Sequence, residues 1–132
     1  MPREIKFRGK QKTWIYGGIS VFNNEATIFD KDCVANSAYE VDINSIGQFT
    51  GFYDKKQIDI YENDIVRYNH STSKFSVSFT ALVIFEKGVF GLYWERDMLG
   101  KIERNFEPLS KIDLRFLKIK GNTYDNNQLI KK

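Results

Sequence analysis

Apolar residues recur at every second position along most of this chain, beginning with Ile5 and Phe7 in REIKFRGK. That period marks a strand with one wet face. TWIYGGISVF (residues 13–22) continues it, and Gly17-Gly18 in its middle predicts a bulge or a close backbone approach. Asn23-Asn24 is a turn signal and ATIFD resumes the strand, so residues 3–30 read as a three-stranded meander. Residues 31–40, which hold Cys33, show no period and read as loop.

The segment QFTGFYDKKQIDIYENDIVRY (residues 48–68) is the most sharply punctuated. A strand, SIGQFTGF, runs into a polar turn at Tyr53–Gln57. IDIY continues, Glu62-Asn63 turns the chain, and DIVRY leaves as a new strand. Asn63 suits a corner because its short amide tolerates positive φ. Asp64 can accept backbone N–H bonds there. Corners of this kind open a core strand in small SH3-like barrels, a likeness of fold and not of function.

Further along, Phe75, Val77 and Phe79 alternate with Ser76, Ser78 and Thr80, and Ala81–Phe85 is apolar on both faces. Such a run needs cover on both sides. Glu86-Lys87-Gly88 predicts a three-residue hairpin loop before VFGLYW returns. A second return is predicted at Met98-Leu99-Gly100, leading into KIERNF. KIDLRFLKIK then alternates again through Ile112, Leu114, Phe116 or Leu117, and Ile119. Only Asp125–Lys131 predicts a helical turn, capped by Asp125 or Asn126. The expected fold class is therefore all-β. An N-terminal β-meander packs on a small SH3-like, barrel-like C-terminal half, with at most a short C-terminal helical turn. The expectation is one domain over residues 1–132, divisible into subdomains 1–44 and 45–132.

Composition agrees with a self-supporting core: 132 residues, 42% hydrophobic and 15% aromatic. Cys33 is the only cysteine, so no internal disulfide can form and a reducing compartment is expected. The N-terminus MPREIKFRGK has no apolar signal region, and no run approaches the roughly 18–20 apolar residues of a membrane helix. A soluble, cytoplasmic protein with no membrane partner is expected.

Charge is divided unevenly: residues 1–66 carry −2 and residues 67–132 carry +5. A basic half permits an acidic partner, nucleic acid included. Arg67, Lys74, Arg96, Lys101, Arg104, Arg115, Lys118 and Lys120 alternate with Tyr68, Phe75, Tyr93, Trp94 and Phe116. Small barrels that bind nucleic acid combine aromatics and cations in this way. Any half-buried sheet shows the same alternation, so these eight residues are a candidate surface and no more.

Other candidate chemistry is thinner. Asp54, Asp59, Glu62 and Asp64 crowd together in sequence and could in principle hold a divalent cation, as in a metal-dependent hydrolase, but no calcium-loop spacing is present. Capping of corners explains them more simply. Glu4-Ile5-Lys6 has a spacing used by some metal-dependent nucleases, yet no preceding acidic residue completes a site, and an exposed strand face is expected. His70, the only histidine, could serve a triad with Ser71, Ser73 or Cys33, but no nucleophile elbow surrounds them, and a loop histidine is expected. Cys33 reads as structural or incidental. No phosphate loop, zinc spacing or dinucleotide fingerprint occurs, and no cofactor is implied.

Three stretches in order carry a family resemblance: REIKFRGK with Trp14-x-Tyr16-Gly17, SIGQFTGFYDKKQIDIYENDIVRY, and KIKGNTYDNNQL. Together they span nearly the whole chain and resemble the YopX family, small proteins of bacterial phages and prophages. The resemblance implies a β-rich cytoplasmic accessory protein and brings no catalytic residues with it. Gln57 and Asn63 stand where the family usually has Gly, and Asn127 where it usually has Pro. Asn63 keeps the left-handed option, Gln57 leaves the turn type open, and Asn127 lacks the pre-set first turn of a helix. The expected function is non-enzymatic: a protein-interaction or self-assembling module whose partner is a host or phage protein or another copy of itself. Nucleic-acid binding through the basic half is the alternative, and metal-dependent hydrolysis the third.

Overall fold

The computed structural model describes residues 4–30 and 37–126. The chain divides into two compact units, Met1–Gly51 and Phe52–Lys132. Both are built from antiparallel sheet, so the expected all-β class is what the alternation of side chains produces.

The first unit contains β1 (Phe7–Lys10), β2 (Trp14–Phe22), β3 (Glu25–Asp30), β4 (Ala38–Val41) and the start of β5 (Gly47–Tyr53). Their order across the sheet is β4-β3-β2-β1-β5. The predicted meander is present, with Phe7 opposite Gly17 and Ile19 opposite Ile28. Ala26, Ile28 and Val41 are buried beneath Phe7, Ile15 and Ile19. Three readings need correction. Part of the expected loop at residues 31–40 is strand β4, which pairs Ile28 with Tyr39, while residues 31–36 with Cys33 lie outside the described residues. Gly17 and Gly18 pair in regular register, and the close approach falls at Gly9, where a Cβ would sit 2.9 Å from Val41 Cβ. Lys6 does not lie on an exposed face: it is only 8% exposed, its ammonium 4.6 Å from the centre of the Phe49 ring and 3.3 Å from Glu4. Glu4 and Lys6 thus pair with each other. The aromatic face gives the cation a favourable seat as water is withdrawn.

Strand β5 runs past Gly51 into the second unit, where it is joined by β6 (Asp59–Tyr61). The rest of this unit is a five-stranded sheet of β7 (Asp64–Ser71), β8 (Ser76–Glu86), β9 (Val89–Met98), β10 (Lys101–Pro108) and β11 (Leu117–Asn122). Their order is β10-β9-β8-β7-β11. Val66, Val83, Leu92 and Leu117 lie on one face and are buried with Ile60 and Leu109.

The hairpins close more tightly than a three-residue loop. Lys87 and Gly88 have φ of 53° and 86°, and Glu86 pairs with Val89, so the turn has two central residues. Asn23-Asn24 (51°, 63°) and Leu99-Gly100 (58°, 88°) repeat this geometry. Two left-handed residues in succession give the turn whose twist matches the strands it joins. KIDLRFLKIK is not one strand. Leu109–Lys111 and Leu114–Phe116 are 3-10 turns, and the strand begins only at Leu117. The Asp113 carboxylate accepts the Arg115 N–H, a local cap that overrides the alternation. The helical turn, α1 (Thr123–Asn126), begins earlier than predicted, with Asn122 Oδ1 accepting the Asp125 N–H at 2.8 Å. Asn127 and the remainder of the expected turn lie outside the described residues. Among the described residues, no helix is long and apolar enough to cross a membrane.

Candidate functional site

The punctuated segment resolves into two corners held by buried carboxylates. Asp54 is 2% exposed, and its Oδ1 accepts the N–H groups of Lys56 (2.8 Å) and Ile58 (3.1 Å). Its Oδ2 accepts the N–H of Ile119 on β11 at 3.1 Å. The turn it closes has Gln57 at φ 65°, in the left-handed region. Asp64, 1% exposed, accepts the Tyr61 N–H at 2.8 Å across Asn63, whose φ is 75°. The Asn63 N–H donates to the Val83 carbonyl and its carbonyl accepts the Thr123 N–H. Asp54 and Asp64 are thereby committed to backbone donors. Among the described residues, no group of three or more His, Cys, Asp or Glu is placed to hold a metal ion.

The second sheet forks. β8 pairs with β7 from Ser71↔Ser76 to Ile65↔Leu82, but with β9 only from Leu82↔Tyr93 to Glu86↔Val89. β9 meanwhile stays paired with β10 as far as Met98↔Lys101. Beyond Leu82 and Tyr93 the sheet therefore continues as two ribbons, β7–β8 and β9–β10. The rings of Phe79 and Trp94 stack across the opening at 4.1 Å. Tyr68 extends the row from Phe79 at 5.3 Å, and Phe116 meets Tyr68 edge-on at 6.2 Å. His70 is not a loop residue. It lies on β7 and stacks flat on Phe116 at 3.9 Å, because alternation along the strand puts it on the same face as Tyr68.

The ribbon tips are apolar and open to water. Phe75 and Val77 are exposed on one, and Met98, Leu99 and Ile102 on the other. Leu99 is the extreme case: it is 104% exposed and held at φ 58°. A left-handed conformation costs a non-glycine residue about 1 kcal/mol or more, and Asn is tolerated there far better than Leu.

The eight candidate cations do not form one surface. Strand pairing puts Arg67, Arg104 and Lys118 on one face of the sheet and Arg96 and Lys101 on the other, while Lys74 sits in the β7–β8 loop. Arg115 lies in the 3-10 turn before β11, and Lys120 falls where the β11–β7 register shifts. Three of the arginines meet carboxylates: Arg96 with Glu103 at 2.7 Å, Arg115 with Asp113 at 2.7 Å, and Arg104 with Glu95 at 3.7 Å. Arg67 donates to the hydroxyls of Thr80 and Ser78, both at 3.0 Å. Hydrogen bonds from Arg115 hold the Asp113 carboxyl down at about 2, and Arg96 likewise lowers Glu103. The Tyr93 hydroxyl donates to Glu95 at 2.5 Å, which raises its pKa.

Two features escape a reading by period. Lys55 and Lys56 belong with Lys118, because the Asp54 turn is fastened to β11 through Lys55 N–H to Leu117 O at 2.8 Å. Nothing local announces a contact across more than sixty residues. Leu99 had a signal: an apolar residue before glycine in a tight return, where Asn or Asp is usual.

Fold and site together define a small all-β protein whose most exposed apolar side chains gather at strand ends. The chain belongs to the YopX protein family, whose profile matches residues 6–131. No curated protein sequence matches it.

Proposed function

We propose that this chain is a non-enzymatic protein-interaction module and that the forked end of the second sheet meets another polypeptide. Leu99 carries the reading. Its side chain is fully in water and its backbone is held in a conformation that Leu disfavours, so the fold alone gives no reason for it. Phe75, Val77, Met98 and Ile102 are exposed on the same two ribbon tips. Aromatic side chains, Met and Arg are the types enriched at protein interfaces. The arginines around them are matched by carboxylates, which suits a polar rim better than a phosphate track. In this reading the protein works in the bacterial cytoplasm as a phage or prophage accessory factor. Its partner is a phage or host protein, or a second copy.

The test compares what wild type and Leu99→Asn retain from bacterial lysate, alongside their masses in solution. A defined partner, or a mass above 15.5 kDa, that is lost on substitution supports the reading. A monomer whose captured proteins do not change with Leu99→Asn contradicts it.

A further inference from the structure

The strongest feature outside the fork is a set of cations that the backbone forces together. Asp54 accepts N–H bonds from Lys56 and Ile58 on one side and from Ile119 on the other, clamping the 54–58 turn against β11. The Lys55 N–H to Leu117 O bond fastens the same turn one residue before Lys118. Across the β11–β7 ladder, Lys118 stands directly opposite Arg67. Arg67 itself turns to the hydroxyls of Ser78 and Thr80 on β8, so the charges that act on Lys118 are those of the turn and of Lys120. Two bonds, Ile119 N–H to Asp54 Oδ2 and Lys55 N–H to Leu117 O, hold the backbones of turn and strand together, so their lysines can separate only by side-chain motion.

We propose that Lys55, Lys56, Lys118 and Lys120 form a binding site for phosphate groups, presented either by a small polyphosphate or by a nucleic-acid backbone. A multivalent anion turns the mutual repulsion of these groups into attraction, and lysine ammonium groups are strong donors to phosphate oxygens. Repulsion is already felt at Lys118, whose pKa is lowered first by Lys56, then by Lys120 and, more weakly, by Lys55. The arginines neutralised by Glu95, Glu103 and Asp113 lie outside the site. It uses the 54–58 turn and the edge strand β11, so it stands independently of the fork.

The full chain is titrated at low salt with inorganic pyrophosphate and, separately, with a fluorescent 20-nucleotide oligothymidylate. Amide shifts of residues 55, 56, 118 and 120 are followed by NMR. Both probes are expected to shift these amides. Preference for the oligonucleotide identifies a nucleic-acid backbone as the source, and preference for pyrophosphate a small polyphosphate. The double substitution Lys56→Gln/Lys118→Gln is expected to weaken binding at least tenfold. Lys74→Gln/Lys101→Gln removes the same charge elsewhere and is expected to weaken it less than threefold. Without any anion, Lys118→Gln should leave the melting temperature unchanged or raise it, since it relieves repulsion. Absence of shifts with both probes overturns the proposal. So do equal losses in the two double variants, which mark diffuse attraction to net charge.

Discussion

The Asp54 carboxylate accepts a hydrogen bond from the Ile119 N–H at 3.1 Å, joining residues 65 positions apart. With Lys56 and Ile58 it gathers three backbone donors around one nearly buried acid. Charged acceptors give stronger hydrogen bonds than neutral ones, and a buried donor left alone costs its full desolvation. Asp54→Ala should therefore lower the unfolding free energy by about 2–4 kcal/mol, with Asp54→Asn between it and wild type. Denaturant unfolding measures this. A loss under about 0.5 kcal/mol for Ala would show that the acid is not what closes the turn.

Asn63 turns the second corner at φ 75° with both its backbone groups bonded. Asn63→Gly should stay within about 0.5 kcal/mol of wild type, because Gly adopts that conformation without steric strain. Asn63→Val should lose about 1–3 kcal/mol, since a β-branched residue is a true outlier there. Equal stability of the two variants would place the chain's turning point elsewhere.

Leu99 occupies the first left-handed position of the β9–β10 turn with its side chain wholly in water. Leu99→Asn should raise stability by about 0.5–1 kcal/mol, readable as a higher melting temperature. A Leu packed in the folded chain would behave in the opposite way, and a fall of 2 kcal/mol or more would mean exactly that packing.

Asp113 is expected to titrate near 2, below its ordinary 3.8, because Arg115 donates side-chain and backbone hydrogen bonds to it. A depressed folded-state pKa favours the folded chain at pH above 3.8, and that contribution fades as pH falls toward 2. Arg115 is exposed and Asp113 only half-buried, so solvent screens the pair and its effect on stability is small; the sensitive readout is the carboxyl carbon shift. Arg115→Gln should move the Asp113 midpoint back toward 3.8. An unmoved midpoint would mean that the pair does not persist in solution.

Strands were legible because a half-buried sheet writes itself as a period of two. Corners were legible where their chemistry is local, as at Asn63 and Asp64. What escaped depends on partners far along the chain or on short-range caps. Asp113 captures the Arg115 N–H and bends residues 109–116 away from the strand that their alternation suggested. Lys6 looked exposed because nothing near it in sequence says that the Phe49 ring lies beneath its ammonium. The eight cations looked like one surface because alternation reports neither which face of a sheet a residue occupies nor which carboxylate stands opposite. Pairing separates Arg67 from Arg96 and gives Arg96 to Glu103.

The most direct test of the protein-interaction reading is an affinity measured by titration calorimetry between the purified chain and the partner that wild type retains, or by sedimentation equilibrium if that partner is a second copy. Wild type should bind, and Leu99→Asn, folded and at least as stable, should bind at least tenfold more weakly because its apolar anchor is gone. An affinity unchanged within twofold in the folded variant would contradict the assignment of the ribbon tips as the contact surface.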